Sequence, residues 1–232
     1  MPIDVRFVPL ADAQPDEAVV VIDVLRAFTV QPWMLAQGAS RLLTVADAEQ
    51  ALRLRDEHLP DAVLAGEEGG EQLEGFDLGN SPVQVQGTDL TGRTVIHRTS
   101  AGTQGLARTA GSPLVLAASF VTAAATARVL ATAGPGRVTF VITGASLGRD
   151  GDEDLAAAEL LAARLQGEDP DPAPYLARIA TSDAGRNFVP GGPAWASPAD
   201  LAACAALDRF EHAMEVGPAG DLDALEVTRR DG

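Results

Sequence analysis

Seven short apolar runs punctuate the first part of the chain, near residues 4–8, 18–23, 41–45, 62–65, 94–98, 113–117 and 137–143. Between them lie stretches with helical spacing, near 27–37, 46–58, 102–109, 121–133 and 154–165. Val19-Val20-Val21-Ile22 is unbroken, as expected of a parallel strand covered on both faces. Strand and helix in alternation predict βαβ units, hence an α/β fold with a mostly parallel or mixed sheet and helices on both faces. No internal repeat is visible.

The periodicity changes after Gly167-Glu168-Asp169-Pro170-Asp171-Pro172, a stiff acidic connector. This places an α/β catalytic core over 1–166 and a helical C-terminal extension over 167–232, packed on the core as a single structural unit. Ser197-Pro198-Ala199-Asp200 combines a serine cap, proline at the first position and an acid at the third, and predicts a helix reaching about Met214. Ala224 to Thr228 reads as a last edge strand, and Pro190-Gly191-Gly192-Pro193 as a surface turn.

Polar residues capable of chemistry gather where strands end, which is where open α/β sheets hold ligands. The loop 65–82 follows an apolar strand and is rich in glycine and carboxylates, including Glu67, Glu68 and Asn80. An acidic surface loop explains it about as well as a metal site or an acid/base pair. Asp23 ends the 19–22 run and caps a helix or binds a ligand; Arg26 grips an anion or lies along that helix toward solvent. Arg98-Thr99-Ser100-Ala101-Gly102-Thr103 enters another helix, with hydroxyls and amides suited to an anion or to plain capping. Thr143-Gly144-Ala145-Ser146-Leu147-Gly148-Arg149 then leads through Asp150 to Asp154 into a helix. Each has a bland explanation alone; four strand ends of one kind share one less easily.

Composition narrows the chemistry. All 17 basic residues are arginine, which excludes Schiff-base chemistry and a Walker lysine. Arginine still grips phosphate, sulfonate or carboxylate bidentately. The net charge of −16 argues against nucleic acid and anionic membranes as partners. No run approaches a membrane span and the N-terminus lacks a signal-peptide pattern, so a cytoplasmic protein is expected. Cys204 is the single cysteine and His58, His97 and His212 are scattered, which leaves oxygen ligands and Mg2+ as the metal chemistry.

Five blocks occur in order: Val-Ile-Asp-Val-Leu-Arg-Ala (21–27), Gly-Glu (66–67) with Gly-Phe-Asp-Leu-Gly-Asn-Ser-Pro (75–82), Arg-Thr-Ser-Ala-Gly-Thr (98–103), Ala-Ala-Ser-Phe-Val-Thr-Ala (117–123) and Thr-Gly-Ala-Ser-Leu-Gly (143–148). Together they resemble the 2-phosphosulfolactate phosphatase family (ComB), over roughly residues 1 to 165. The resemblance implies a three-layer α/β/α fold and magnesium-dependent hydrolysis of 2-phospho-3-sulfolactate to 3-sulfolactate and phosphate, a coenzyme M biosynthesis-like step. In that light Asp23, Glu67 and Arg26 are the catalytic candidates, and Asp23, Glu67 and Asp154 the metal ligands. Arg98, Thr99, Ser100, Gly102, Thr103, Asn80, Ser146 and Arg149 are the substrate-binding set. Two positions depart from the pattern: Glu68 stands where an arginine is expected and Ala101 where an asparagine is. Arg98 and Arg149 are then the candidates to restore the missing charge.

Two other readings compete. A covalent aspartyl phosphatase of the haloacid-dehalogenase type needs a second aspartate two residues after Asp23, where Leu25 stands, and a lysine that is absent. A non-catalytic small-anion-binding protein needs no metal, but carboxylates in 67–77 would repel its ligand; another metal-dependent hydrolase or lyase acting on a small acid would not meet that objection. A homodimer is left open by the sequence.

Overall fold

Strand β2 (Ala18–Ile22) is buried at every position, flanked by strands and covered by helices on both faces. It pairs in parallel with β7 (Leu114–Ala118) and with β8 (Arg137–Ile142), and β1 (Asp4–Pro9) adds in parallel beyond β8. A second parallel set holds β3 (Arg41–Thr44), β6 (Thr94–Arg98) and β4 (Val63–Glu68). The computed structural model describes residues 3–146 and 148–232, and Leu147 of the 143–149 block lies outside them.

The two sets are joined from an unexpected quarter. β9 (Ala213–Pro218) and β10 (Leu225–Arg230) form an antiparallel hairpin; β9 lies against β7 and β10 against β3, both antiparallel. The described order is β1-β8-β2-β7-β9-β10-β3-β6-β4-β5, with β5 (Glu71–Gln72) turning back on β4. The result is a three-layer α/β/α fold on a mixed sheet. The helix expected from Ser197 to Met214 stops at Cys204, and Met214 belongs to β9. The stretch 224–228 is part of a strand, but a central one rather than an edge. The C-terminal part does open helical, with α7 (Ala173–Thr181) and α8 (Pro198–Cys204).

Asp208 fixes the turn between α8 and β9. Its backbone takes the left-handed region at φ 53°, which helix continuation forbids. Its carboxylate accepts from the Ala124 amide at 2.7 Å and pairs with Arg164 at 2.9 Å, fixing the turn.

Alternation along the strands sorts side chains into layers. Val20 and Ile22 pack with α5 (Ala123–Ala133) and α6 (Asp152–Leu165) on one face. Val19 and Val21 pack on the other face with Phe28, Val30 and Met34 of α1 (Ala27–Ala36) and Leu106 of α4 (Gly102–Thr109). That same cluster contains Leu42, Val63 and Val95, so α1 and α4 are shared by both strand sets. Leu43, Leu64 and Ile96 point away to Ala51 and Leu54 of α2 (Ala48–His58). Helix α1 leaves β2 yet packs on β3, and α4 follows β6 yet packs on β2. This exchange brings the ends of β2, β4 and β6 to one place. Among the described residues no helix is long and apolar enough to cross a membrane.

Candidate active site

Glu67, the fifth residue of β4, is 7% exposed, and its carboxylate is held by the start of the neighbouring segment. Oε1 accepts from the Ser100 amide at 2.7 Å; Oε2 accepts from the Gly70 amide at 2.7 Å and the Ser100 hydroxyl at 3.2 Å. The turn before α4 thus already binds an anion, the chain's own Glu67. Thr99 and Thr103 spend their hydroxyls on each other's amides, at 3.2 and 3.0 Å, as a reciprocal cap.

Asp23 follows β2 directly. Its Oδ1 accepts from the Ala27 amide at 2.9 Å, the capping role open to it, while no protein donor among the described residues reaches Oδ2. Burial pushes its pKa up to about 6; Glu67 and Glu153 push it the same way, against the Ala27 amide and Arg149. Burial likewise raises Glu153, again against Arg149. Arg149 lines the same chamber as Asp23, with Nε 3.5 Å from the Ser146 carbonyl.

Asp154 is 1% exposed and braces the ends of β2 and β8: Oδ1 accepts from the Val24 amide at 2.8 Å and Oδ2 from the Gly144 amide at 2.6 Å, with Thr143 Oγ1 at 3.1 Å. Burial, Glu153 and Asp23 hold its pKa well above the usual carboxylate range. Unlike Asp23 and Glu67, it lines neither chamber described below, and its bonds brace the fold. Among the described residues no group of three or more His, Cys, Asp or Glu side chains converges on one point. The three-carboxylate shell expected of Asp23, Glu67 and Asp154 is therefore not assembled.

Arg26 is 4% exposed and belongs to no solvated helix face. Nη1 donates to the Trp195 carbonyl at 2.6 Å and to Asp200 at 3.3 Å, and Nη2 to the Gly70 carbonyl at 3.3 Å; Nε is not used in these bonds. The guanidinium lies 5.4 Å from the Phe188 ring centre and 5.5 Å from that of Trp195. Asp200 also accepts from the Ser81 hydroxyl at 2.6 Å and the Val83 amide at 3.2 Å, tying the start of α8 to the Asn80 loop and to α3 (Pro82–Gln86).

Two adjoining chambers result. The smaller, about 230 Å³, is walled by Asp23, Arg26, Glu67, Asn80, Ser100 and Arg149, with Ala101, Asn187, Phe188 and Trp195. The larger, about 710 Å³, shares Arg26, Gly70, Asn80 and Trp195 with it and continues past Gln72, Gln84 and Ser197. Of the residues singled out in the sequence, Arg98, Thr99, Gly102, Thr103, Ser146 and Asp154 do not line the smaller chamber. Arg98 donates to the Glu67 carbonyl at 2.9 Å and pairs with exposed Glu68 at 3.2 Å, so Glu68 neutralises it at the rim. Among the described residues no partner reaches the buried Ser146 Oγ. Cys204 is fully buried, which pushes its thiol up to about 12 and makes it a poor nucleophile.

Asn187, Phe188, Trp195 and Asp200 come from a segment with no strand-end signature, and only the aromatic residues in an aromatic-poor chain marked it. Gly102 acts by what it lacks: a Cβ there would stand 2.6 Å from Asp23 Oδ2 and 2.9 Å from the Ala27 Cβ. Gly102→Ala is expected to displace Asp23, lowering kcat roughly 100-fold while costing about 1–3 kcal/mol of stability. Turnover set beside thermal melting checks this, and unchanged turnover would free Asp23 from dependence on Gly102.

Comparison with known proteins covers the same part of the chain. The family model described as 2-phosphosulpholactate phosphatase matches residues 7–186. The chain belongs to this family. Among 2-phosphosulfolactate phosphatase family relatives, a Deinococcus radiodurans protein named "probable 2-phosphosulfolactate phosphatase" is 41% identical over 157 residues, covering 67% of this chain and 65% of its own. A Parasynechococcus marenigrum protein of the same name is 44% identical over 158 residues, 67% of this chain and 64% of its own. A Bacillus subtilis family member, also so named, is 29% identical over 215 residues, 91% of this chain and 92% of its own. The chain thus spans just under two thirds of the first two relatives, and most of the third.

Proposed function

We propose that this protein is a magnesium-dependent phosphatase acting on a small anionic phosphate monoester, with 2-phospho-3-sulfolactate as the first substrate to test. The observation that carries the reading is the smaller chamber, where two carboxylates at strand ends face two arginines. Asp23 offers a free Oδ2, and its raised pKa marks an uncompensated negative charge that a divalent cation would relieve. Magnesium keeps several waters and takes one or two carboxylates plus substrate phosphate, so Asp23 and Glu67 suffice to hold it. When bound it supplies charge neutralisation and a lowered water pKa.

The chain's own residues do the rest. Ser100 and Gly70 fix the Glu67 carboxylate, and Ala27 fixes that of Asp23. Arg149, and the Nε edge of Arg26, meet the anionic groups of the substrate, while Phe188 and Trp195 exclude water above Arg26. Positioning and charge neutralisation are most of what phosphoryl transfer asks of a protein. We place the reaction in the cytoplasm, consistent with a single buried cysteine.

The test is release of inorganic phosphate from 2-phospho-3-sulfolactate and a panel of small phosphorylated acids, with magnesium and with chelator. Release that needs magnesium is expected. Binding of these acids with no release under either condition would leave a small-anion-binding protein in its place.

A further inference from the structure

His97 is fully buried in β6 and belongs to no wall of either chamber. Its Nδ1 lies 3.1 Å from Gln31 Nε2 on α1, and its Nε2 lies 3.2 Å from Asn80 Oδ1. Burial holds the ring pKa at about 3, so the imidazole is neutral and carries one proton. A neutral ring has one donor and one acceptor. Gln31 donates to Nδ1; Nε2 therefore carries the hydrogen and donates to the Asn80 carbonyl.

The opposite polarity would turn both amides over. It would leave both N–H groups of fully buried Gln31 without acceptors, whereas the polarity described leaves, among the described residues, Gln31 Oε1 and a single N–H. An under-satisfied carbonyl is tolerated more readily than a second orphaned N–H. Asn80 is held from the other side too: the Gly79 amide donates to Gln84 at 3.0 Å, and Ser81 is tied to Asp200.

Resting on the phosphatase reading, we propose that His97 is a positioning residue: through the Gln31–His97–Asn80 chain it turns the Asn80 amide so that its N–H groups, and not its carbonyl, face the anionic substrate. Asn80 walls both chambers beside Arg26, and no protein acceptor among the described residues takes its Nδ2 hydrogens. The ring reads the site's required polarity from the core and passes it on. A carbonyl at the same place would repel phosphate; an amide donor binds it. A charge-assisted bond of this kind is worth about 10- to 100-fold in affinity.

The test is a double-mutant cycle read as inhibition by inorganic phosphate, with nitrogen NMR on the unmodified protein. His97→Leu is expected to weaken phosphate about 10- to 100-fold when Asn80 is present and less than about twofold in Asn80→Ala. His97→Gln, which keeps one donor and one acceptor, should restore most of the loss. Equal losses in both backgrounds would overturn the proposal and leave His97 a packing residue. If His97→Leu does not fold, NMR decides on the intact chain: the ring must show the Nε2–H tautomer, and the Asn80 side-chain amide must shift as phosphate saturates. An Nδ1–H tautomer, an unmoved Asn80 amide or no phosphate binding each overturns it. Phosphate that binds with these shifts in a protein that hydrolyses no ester would overturn the phosphatase reading and leave the positioning intact.

Discussion

Asp23→Asn is expected to abolish turnover and to make the protein more stable. The carboxyl is buried, and its pKa is raised from the ordinary 3.8 to about 6. A carboxyl raised in the fold binds more protons folded than unfolded between those values, so stability is greatest below about pH 4 and falls as pH rises to about 6. At neutral pH without cation the ionised group costs about 3 kcal/mol, at roughly 1.4 kcal/mol per pH interval. Asparagine retains an oxygen for the Ala27 amide and carries no charge. Melting in chelator at pH 7.5 should therefore rise by several degrees, and the decline between pH 4 and 6 should flatten. Turnover should fall on the order of 10³-fold, because the ligand for the cation is gone. A variant that loses stability, or retains its rate, would refute the assignment of Asp23 as a strained functional carboxylate.

The second large effect is expected at Asp200. Its pair with Arg26 is buried on both sides, with side chains 3% and 4% exposed. Asp200→Ala leaves the guanidinium uncompensated, which costs about 3–5 kcal/mol in buried pairs. It also removes the acceptor for Ser81 and Val83. Asp200→Asn keeps an oxygen for those two donors and should lie between wild type and alanine. Because Asp200 also holds the segment carrying Trp195 against Arg26, KM is expected to rise more than kcat falls. Chemical denaturation together with substrate saturation curves measures both, and an alanine variant within 1 kcal/mol of wild type would refute this reading of the pair.

The first strand set and its helices were legible because buried parallel strands carry continuous apolar runs such as 19–22, and Asp23, Glu67 and Ser100 because chemistry collects where such runs stop. The hairpin was not. Ala199 to Met214 is rich in alanine and leucine, good helix formers, and what bars a helix from running on to Met214 is a left-handed aspartate held by Arg164 and Ala124, partners distant in sequence. Asp200 reads from sequence as a favourable third helical residue; its pairing with Arg26 spans 174 positions and leaves no local trace. The turn at 99–103 reads as an anion cradle, and nothing local reveals that Glu67 already fills it.

The hairpin β9–β10 occupies the centre of the sheet although it is the last part described. On the ribosome, β1 to β8 emerge first, and β7 and β3 then face solvent with unpaired backbone groups, a ready template for another chain. Vectorial synthesis thus leaves two parallel halves waiting for their keystone, and the interval before residue 230 emerges is when this chain is most exposed to association with its neighbours.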